Sequence, residues 1–129
     1  MHEEKVRRLY AVLNSDNPRA AVDSFRDDGE WQWPRGGPDA GVYRGREEIA
    51  RAAEQWDDSW ADFEMEPEEI IERGDEVFVM CRYRGTGRGS GVPIDTHVAH
   101  VWEFDGDQVA RLRMFGQAER ARQRFLDNL

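Results

Sequence analysis

Thiols, lysines and long apolar runs are all scarce in this chain of 129 residues. Cys81 is the one cysteine, so the chain can close no disulfide within itself and offers no set of thiolates for a zinc site. A reducing compartment suits such a chain best. No stretch approaches the ~18 consecutive apolar residues that a membrane-spanning helix needs. The opening Met1-His2-Glu3-Glu4-Lys5 also lacks the apolar centre of a secretory leader. Together these absences set the expectation of a cytoplasmic protein with no membrane partner. Lysine occurs once, at Lys5, and the net charge is −9. A phosphate backbone would meet repulsion over most of such a surface, so no nucleic-acid partner is expected.

What is present is enough for a core. Apolar residues make up 39% and aromatic residues 11%, with five tryptophans, which sets the chain apart from disordered sequences despite 35% charged residues. Without a repeat, a low-complexity tract or a linker, residues 1–129 read as a single domain. Val6, Leu9, Tyr10 and Leu13 recur at the spacing of an amphipathic helix. Asn17 and Pro18 read as the cap and first residue of a second, short helix that buries Ala21, Val22 and Phe25 and is broken at Asp28-Gly29. Glu30–Trp33 alternates like a short strand ended by Pro34, and a glycine- and proline-rich loop follows through Gly45. Ile49, Ala52, Ala53, Trp56 and Trp60 then keep one face of a third helix.

From Phe63 the period changes to two. Phe63–Arg73 reads as a strand in which Pro67 marks an edge or a bulge. Gly74-Asp75 turns into Glu76–Arg84, and after a glycine-rich connection Ile94–Phe104 forms the longest strand. Asp105-Gly106 then turns into Gln108–Phe115. Ala118, Ala121, Phe125 and Leu129 fall on one stripe of a closing helix. Strands in succession without helices between them predict an α+β fold: a curved, cone-shaped antiparallel sheet, three N-terminal helices over its concave face, and a short C-terminal helix.

Several segments resemble the SnoaL-like branch of the nuclear-transport-factor-2-like and ketosteroid-isomerase-like superfamily. They are Phe25–Asp28 leading into Trp31–Pro34, then Tyr43-Arg44-Gly45-Arg46-Glu47-Glu48-Ile49, then Arg84–Val92 with glycine at 85, 87, 89 and 91, and last the hairpin Val98–Phe115. In order and spacing they cover essentially the whole chain. The resemblance implies a conical pocket for a small apolar molecule and a homodimer paired through the outer sheet face, which would carry Arg111, Arg113 and Phe115.

It also implies chemistry that these residues do not supply. Where ketosteroid isomerases carry an aspartate base before a proline, this chain has Trp33, and the oxyanion-hole positions correspond to Leu9 and His100. Tryptophan cannot take a proton from carbon, and leucine cannot donate to an enolate. The acid that SnoaL-like cyclases carry after the last strand corresponds to Gly116-Gln117, and no Asp-Arg-Asp set of the epoxide-hydrolase kind falls on one face.

The remaining candidates form a short group. His100 shares a strand face with Val98, Trp102 and Phe104, where burial would keep its ring neutral and able to hold a carbonyl or act as a base. Trp33, Trp56, Trp60, Val98, Trp102, Leu112 and Met114 are expected to line the pocket, aromatic walls being suited to planar ligands. His97 points to the face opposite His100, so no metal site is expected, and no organic cofactor is implied. The expected function is binding of a small apolar, aromatic or polyketide-like molecule, with isomerase-, cyclase- or hydrolase-type acid–base chemistry as one extension. A noncatalytic binder and a dimeric interaction module with a vestigial pocket are the alternatives.

Overall fold

Residues 2–33 and 41–128 are described by the computed structural model on which the following rests. Glu3–Leu13 forms α1, Pro18–Ser24 a 3₁₀ helix, Phe25–Gln32 β1, Val42–Arg44 β2 and Arg46–Asp58 α2. Four long strands follow: β3 Trp60–Arg73, β4 Glu76–Gly87, β5 Pro93–Asp105 and β6 Gln108–Phe115. Ala118–Asp127 closes the chain as α3. The strands make one six-stranded curved sheet in the order β2-β1-β6-β5-β4-β3.

The expected α+β cone is therefore present, with one change in the sheet. β3 to β6 pair antiparallel as expected, but β1 runs parallel to β6, with Trp31 opposite Leu112, so the sheet is mixed. Local turn chemistry predicts hairpins, whereas the parallel pair joins segments some eighty residues apart and leaves no local signature.

Several local boundaries differ from those expected. The second helix ends before Phe25, which opens β1 instead. An Ala21/Val22/Phe25 spacing fits a helical stripe, but Phe25 reaches the same core from extended backbone, near the Trp102 ring at 6.4 Å. Its carbonyl accepts from Arg46 Nε and an Arg46 terminal nitrogen at 2.8 and 2.6 Å, which ties β1 to the start of α2. Asp27 and Asp28 consequently lie in β1, pairing with Arg46 and Arg26, rather than at a helix end. α2 stops at Asp58, so Trp60 opens β3 instead of extending the helical stripe. β2 lies where a loop is expected; the segment 34–40 before it is outside the described residues.

Pro67 sits on an edge strand at a bulge, where no ladder hydrogen bond is demanded of it. The glycine-rich connection is partly strand: Gly85 and Gly87 belong to β4, and a Cβ on Gly85 would lie 2.6 Å from the Asp62 carbonyl oxygen. Glycine alone lets β3 approach that closely.

Helices cover both faces. On the concave side α1, the 3₁₀ helix and α2 bury Val6, Leu9, Ile49 and Ala52 against Val77, Val79, Trp102 and Leu112. On the convex side α3 buries Ala118 and Phe125 against Phe78, Met80, Ala99 and Val101. That second layer explains why β4 is apolar on successive residues from Val77 to Cys81 instead of alternating.

Candidate functional site

The concave face and its helices enclose a cavity of about 290 Å³. Its closed half is walled by Trp31, Ile49, Met65, Trp102, Leu112 and Met114, with Tyr83 and His100 as its polar members. Its mouth lies between the end of α1, the end of α2 and the start of β3, where Asp16, Asp57, Asp62 and Arg88 stand exposed. Three carboxylates against one guanidinium make that rim net acidic.

His100 is 1% exposed, and β5 places it between Val79 of β4 and Met114 of β6. Both ring nitrogens are engaged by tyrosines: Tyr10 Oη is 2.5 Å from Nδ1 and Tyr83 Oη 2.5 Å from Nε2. Trp102 Nε1 donates to Tyr10 Oη at 3.0 Å. The four side chains come from α1, β4 and β5. Burial pulls the His100 pKa down to about 3, so the imidazole is neutral at physiological pH. Burial likewise pushes both tyrosines well above their ordinary value, Cys81 nearby adding to the rise, so both hydroxyls are protonated.

Of the residues expected at the pocket, His100, Trp56, Trp60, Trp102, Leu112 and Met114 lie on the cavity wall. Trp33 and Val98 do not. Trp33 stands behind the wall, its ring 5.0 Å from that of Trp31 and 5.0 Å from that of Trp56. Val98 is packed into the core opposite Cys81. Each alternates in sequence with a wall residue, but its side chain is packed among core neighbours and not on the cavity. Trp56, Trp60, Phe63 and Tyr83 form a continuous aromatic wall, with neighbouring centroids 5.0–5.4 Å apart from Trp56 through Trp60 and Phe63 to Tyr83.

Tyr10 and Tyr83 were legible only in part. Tyr10 belongs to the α1 stripe and Tyr83 to the inward face of β4, but nothing in their spacing says that their hydroxyls meet one imidazole. The first helix does supply a tyrosine to this site, one position after Leu9, and it faces His100 rather than the cavity.

His97 is exposed and pairs with Glu68 at 2.7 Å, away from His100. Among the described residues no group of three or more His, Cys, Asp or Glu side chains is placed to hold a metal ion. Cys81 is buried, and burial first, then Glu68 and Glu66, raises its thiol pKa far above the ordinary range. It is a packing thiol, not a nucleophile. No described helix is long and apolar enough to cross a membrane.

The same fold recurs in solved structures. A putative SnoaL-like polyketide cyclase from Jannaschia sp. CCS1 is 20% identical, with 87% of this chain and 82% of that one covered at a TM-score of 0.78. A protein of ketosteroid isomerase-like fold from Catenulispora acidiphila DSM 44928, in complex with trimethylamine, is also 20% identical, with 88% and 85% covered at 0.79. An NTF2-like protein from Burkholderia thailandensis E264 is 29% identical, with 87% of each chain covered at 0.78. No curated protein sequence matches the chain significantly. The profile of the SnoaL-like domain matches residues 6–112, from the first buried residue of α1 to the cavity-facing Leu112 of β6, and with that span the chain belongs to the SnoaL-like family.

Proposed function

We propose that this chain binds a small, uncharged aromatic or polyketide-like molecule in its conical cavity and holds it without transforming it. The observation that carries this reading is a cavity of about 290 Å³ whose closed half is aromatic and aliphatic but for one tyrosine–histidine pair. That volume lies near the lower end of ligand sites, which suits two or three fused rings. The acidic rim disfavours an anion on its way in.

Acid–base turnover of the isomerase, cyclase or hydrolase kind needs a base beside the ligand. The carboxylates among the lining residues stand at the rim, and the buried imidazole, with a pKa near 3 and both nitrogens engaged, is a poor base. A small cation, such as the trimethylamine in the Catenulispora relative, is the competing occupant. Ring centroids as close as 5.0 Å favour a flat partner over an ammonium group, which needs ring faces opened around it. A homodimer belongs to the same proposal by analogy of fold. On the outer face Arg111 and Arg113 already pair with Glu103, so such an interface would be polar.

Titration with a series of two- and three-ring aromatic compounds, followed by tryptophan fluorescence and by chromatography of the recovered ligand, tests the reading. Saturable quenching with the ligand recovered unchanged is the expected outcome. A product that disappears in His100→Gln would replace binding by catalysis, and no quenching with any member would end the proposal.

A further inference from the structure

The hydrogen bonds around His100 have a direction, and that direction identifies what the cavity lacks. Indole N–H only donates, so Tyr10 Oη accepts from Trp102. Two arrangements remain for the neutral imidazole. If Nδ1 carried the proton and donated to Tyr10, the Tyr10 hydroxyl hydrogen would be left in the core with no described acceptor. A stranded buried donor costs about 1–3 kcal/mol. If Tyr10 donates to Nδ1, Nε2 carries the proton and donates to Tyr83 Oη. Every polar group of the Trp102–Tyr10–His100 chain is then satisfied, and the one hydrogen of that chain left uncommitted is that of the Tyr83 hydroxyl, on a residue that lines the cavity.

The indole donors of the closed half are committed: Trp31 Nε1 donates to Met114 Sδ at 2.8 Å, and Trp102 Nε1 to Tyr10. Farther out, Trp56 Nε1 and Trp60 Nε1 are buried donors without a nitrogen or oxygen acceptor among the described residues. The wall thus carries a surplus of donors. A ligand that ends in a donor would strand two hydrogens face to face, whereas a carbonyl or ether oxygen completes the chain.

Resting on the binding reading above, we infer that Tyr83, oriented through His100 and Tyr10 by Trp102, is the hydrogen-bond donor that selects ligands bearing a neutral oxygen acceptor on an aromatic frame. Tyr83 touches the ligand; His100 and Tyr10 act as positioning residues.

9-Fluorenone and fluorene share one tricyclic frame and differ by the carbonyl, so the pair isolates this contact. Fluorescence titration of the wild type should give about five- to tenfold tighter binding of fluorenone, the ratio expected of one net hydrogen bond. In Tyr83→Phe the ratio should fall to near one with fluorene affinity within about twofold of wild type, which also shows that the variant is folded. Equal wild-type affinities, or a ratio that survives in Tyr83→Phe, overturn the donor assignment while leaving aromatic binding intact. Failure of both probes to bind overturns the binding reading as well. Nitrogen-15 NMR of the wild-type imidazole gives an independent readout: a proton on Nε2 of His100 is expected, and one on Nδ1 would overturn the direction of the chain.

Discussion

At the scale of single residues, His100 shows how burial and hydrogen bonding set a protonation state. Its folded pKa of about 3 lies below the ~6.5 of an exposed imidazole, so between those values the unfolded chain binds the extra proton. The stabilisation is complete above pH 6.5 and is lost as the pH falls. From pH 7 to 5 this single group should remove about 2 kcal/mol of stability. Urea denaturation at steps across that interval should show the decline in wild type and a flatter profile in His100→Gln. Equal slopes would mean that the imidazole is protonated in the folded protein. His100 as a buried, neutral, inward-facing ring was readable from alternation along β5; its two phenol partners were not, because hydrogen bonding across α1, β4 and β5 has no spacing in sequence.

Among the elements, the join of α1 to β3 is the one that shapes the mouth of the cavity. Asn14, which caps the end of α1, presents its amide to the backbone of Met65 as a strand would: Nδ2 donates to the Met65 carbonyl at 2.7 Å, and the Met65 N–H donates to Oδ1 at 2.8 Å. At the other end of the helix, Glu72 of β3 accepts from the backbone N–H groups of His2 and Glu3, and the bond from His2 is the largest cause of a pKa lowered to about 2. Asn14→Ala removes both partners of the Met65 backbone and should cost about 1–3 kcal/mol. Thermal or urea unfolding measures that cost, and fluorenone affinity should fall with it because Asn14 also lines the mouth. An unchanged midpoint would mean that water replaces the amide at no loss. In the sequence Asn14 reads only as a helix stop; the same short polar side chain serves a turn and a strand mimic equally well.

Over the molecule as a whole, the sheet separates the side that encloses the cavity from the side that α3 covers. α3 seals the convex face through Phe125 on Phe78, centroids 5.4 Å apart, and through the paired hydrogen bonds of Arg122 to Glu69 at 2.6 and 3.0 Å. Phe125→Ala should cost about 3–5 kcal/mol, as large-to-small changes in a packed core do. Measured well below its unfolding midpoint, that variant should bind fluorenone as wild type does, since nothing in α3 reaches the cavity lining. A loss of affinity without unfolding would show that the two faces are coupled.

Periodicity and turn chemistry in the sequence alone determined the succession of every element but β2, the inward faces of β4, β5 and β6, and Pro67 at an edge or a bulge, while the order of the motifs carried the resemblance to the family. Those features rest on interactions between near neighbours along the chain. Tertiary structure alone decided the parallel seam of β1 with β6, the start of β1 at Phe25, the retreat of Trp33 behind Trp56, and the meeting of Tyr10, Tyr83 and Trp102 around His100. Each of these depends on which distant segments share a surface once the sheet has curved, and no periodicity in the sequence records that curvature.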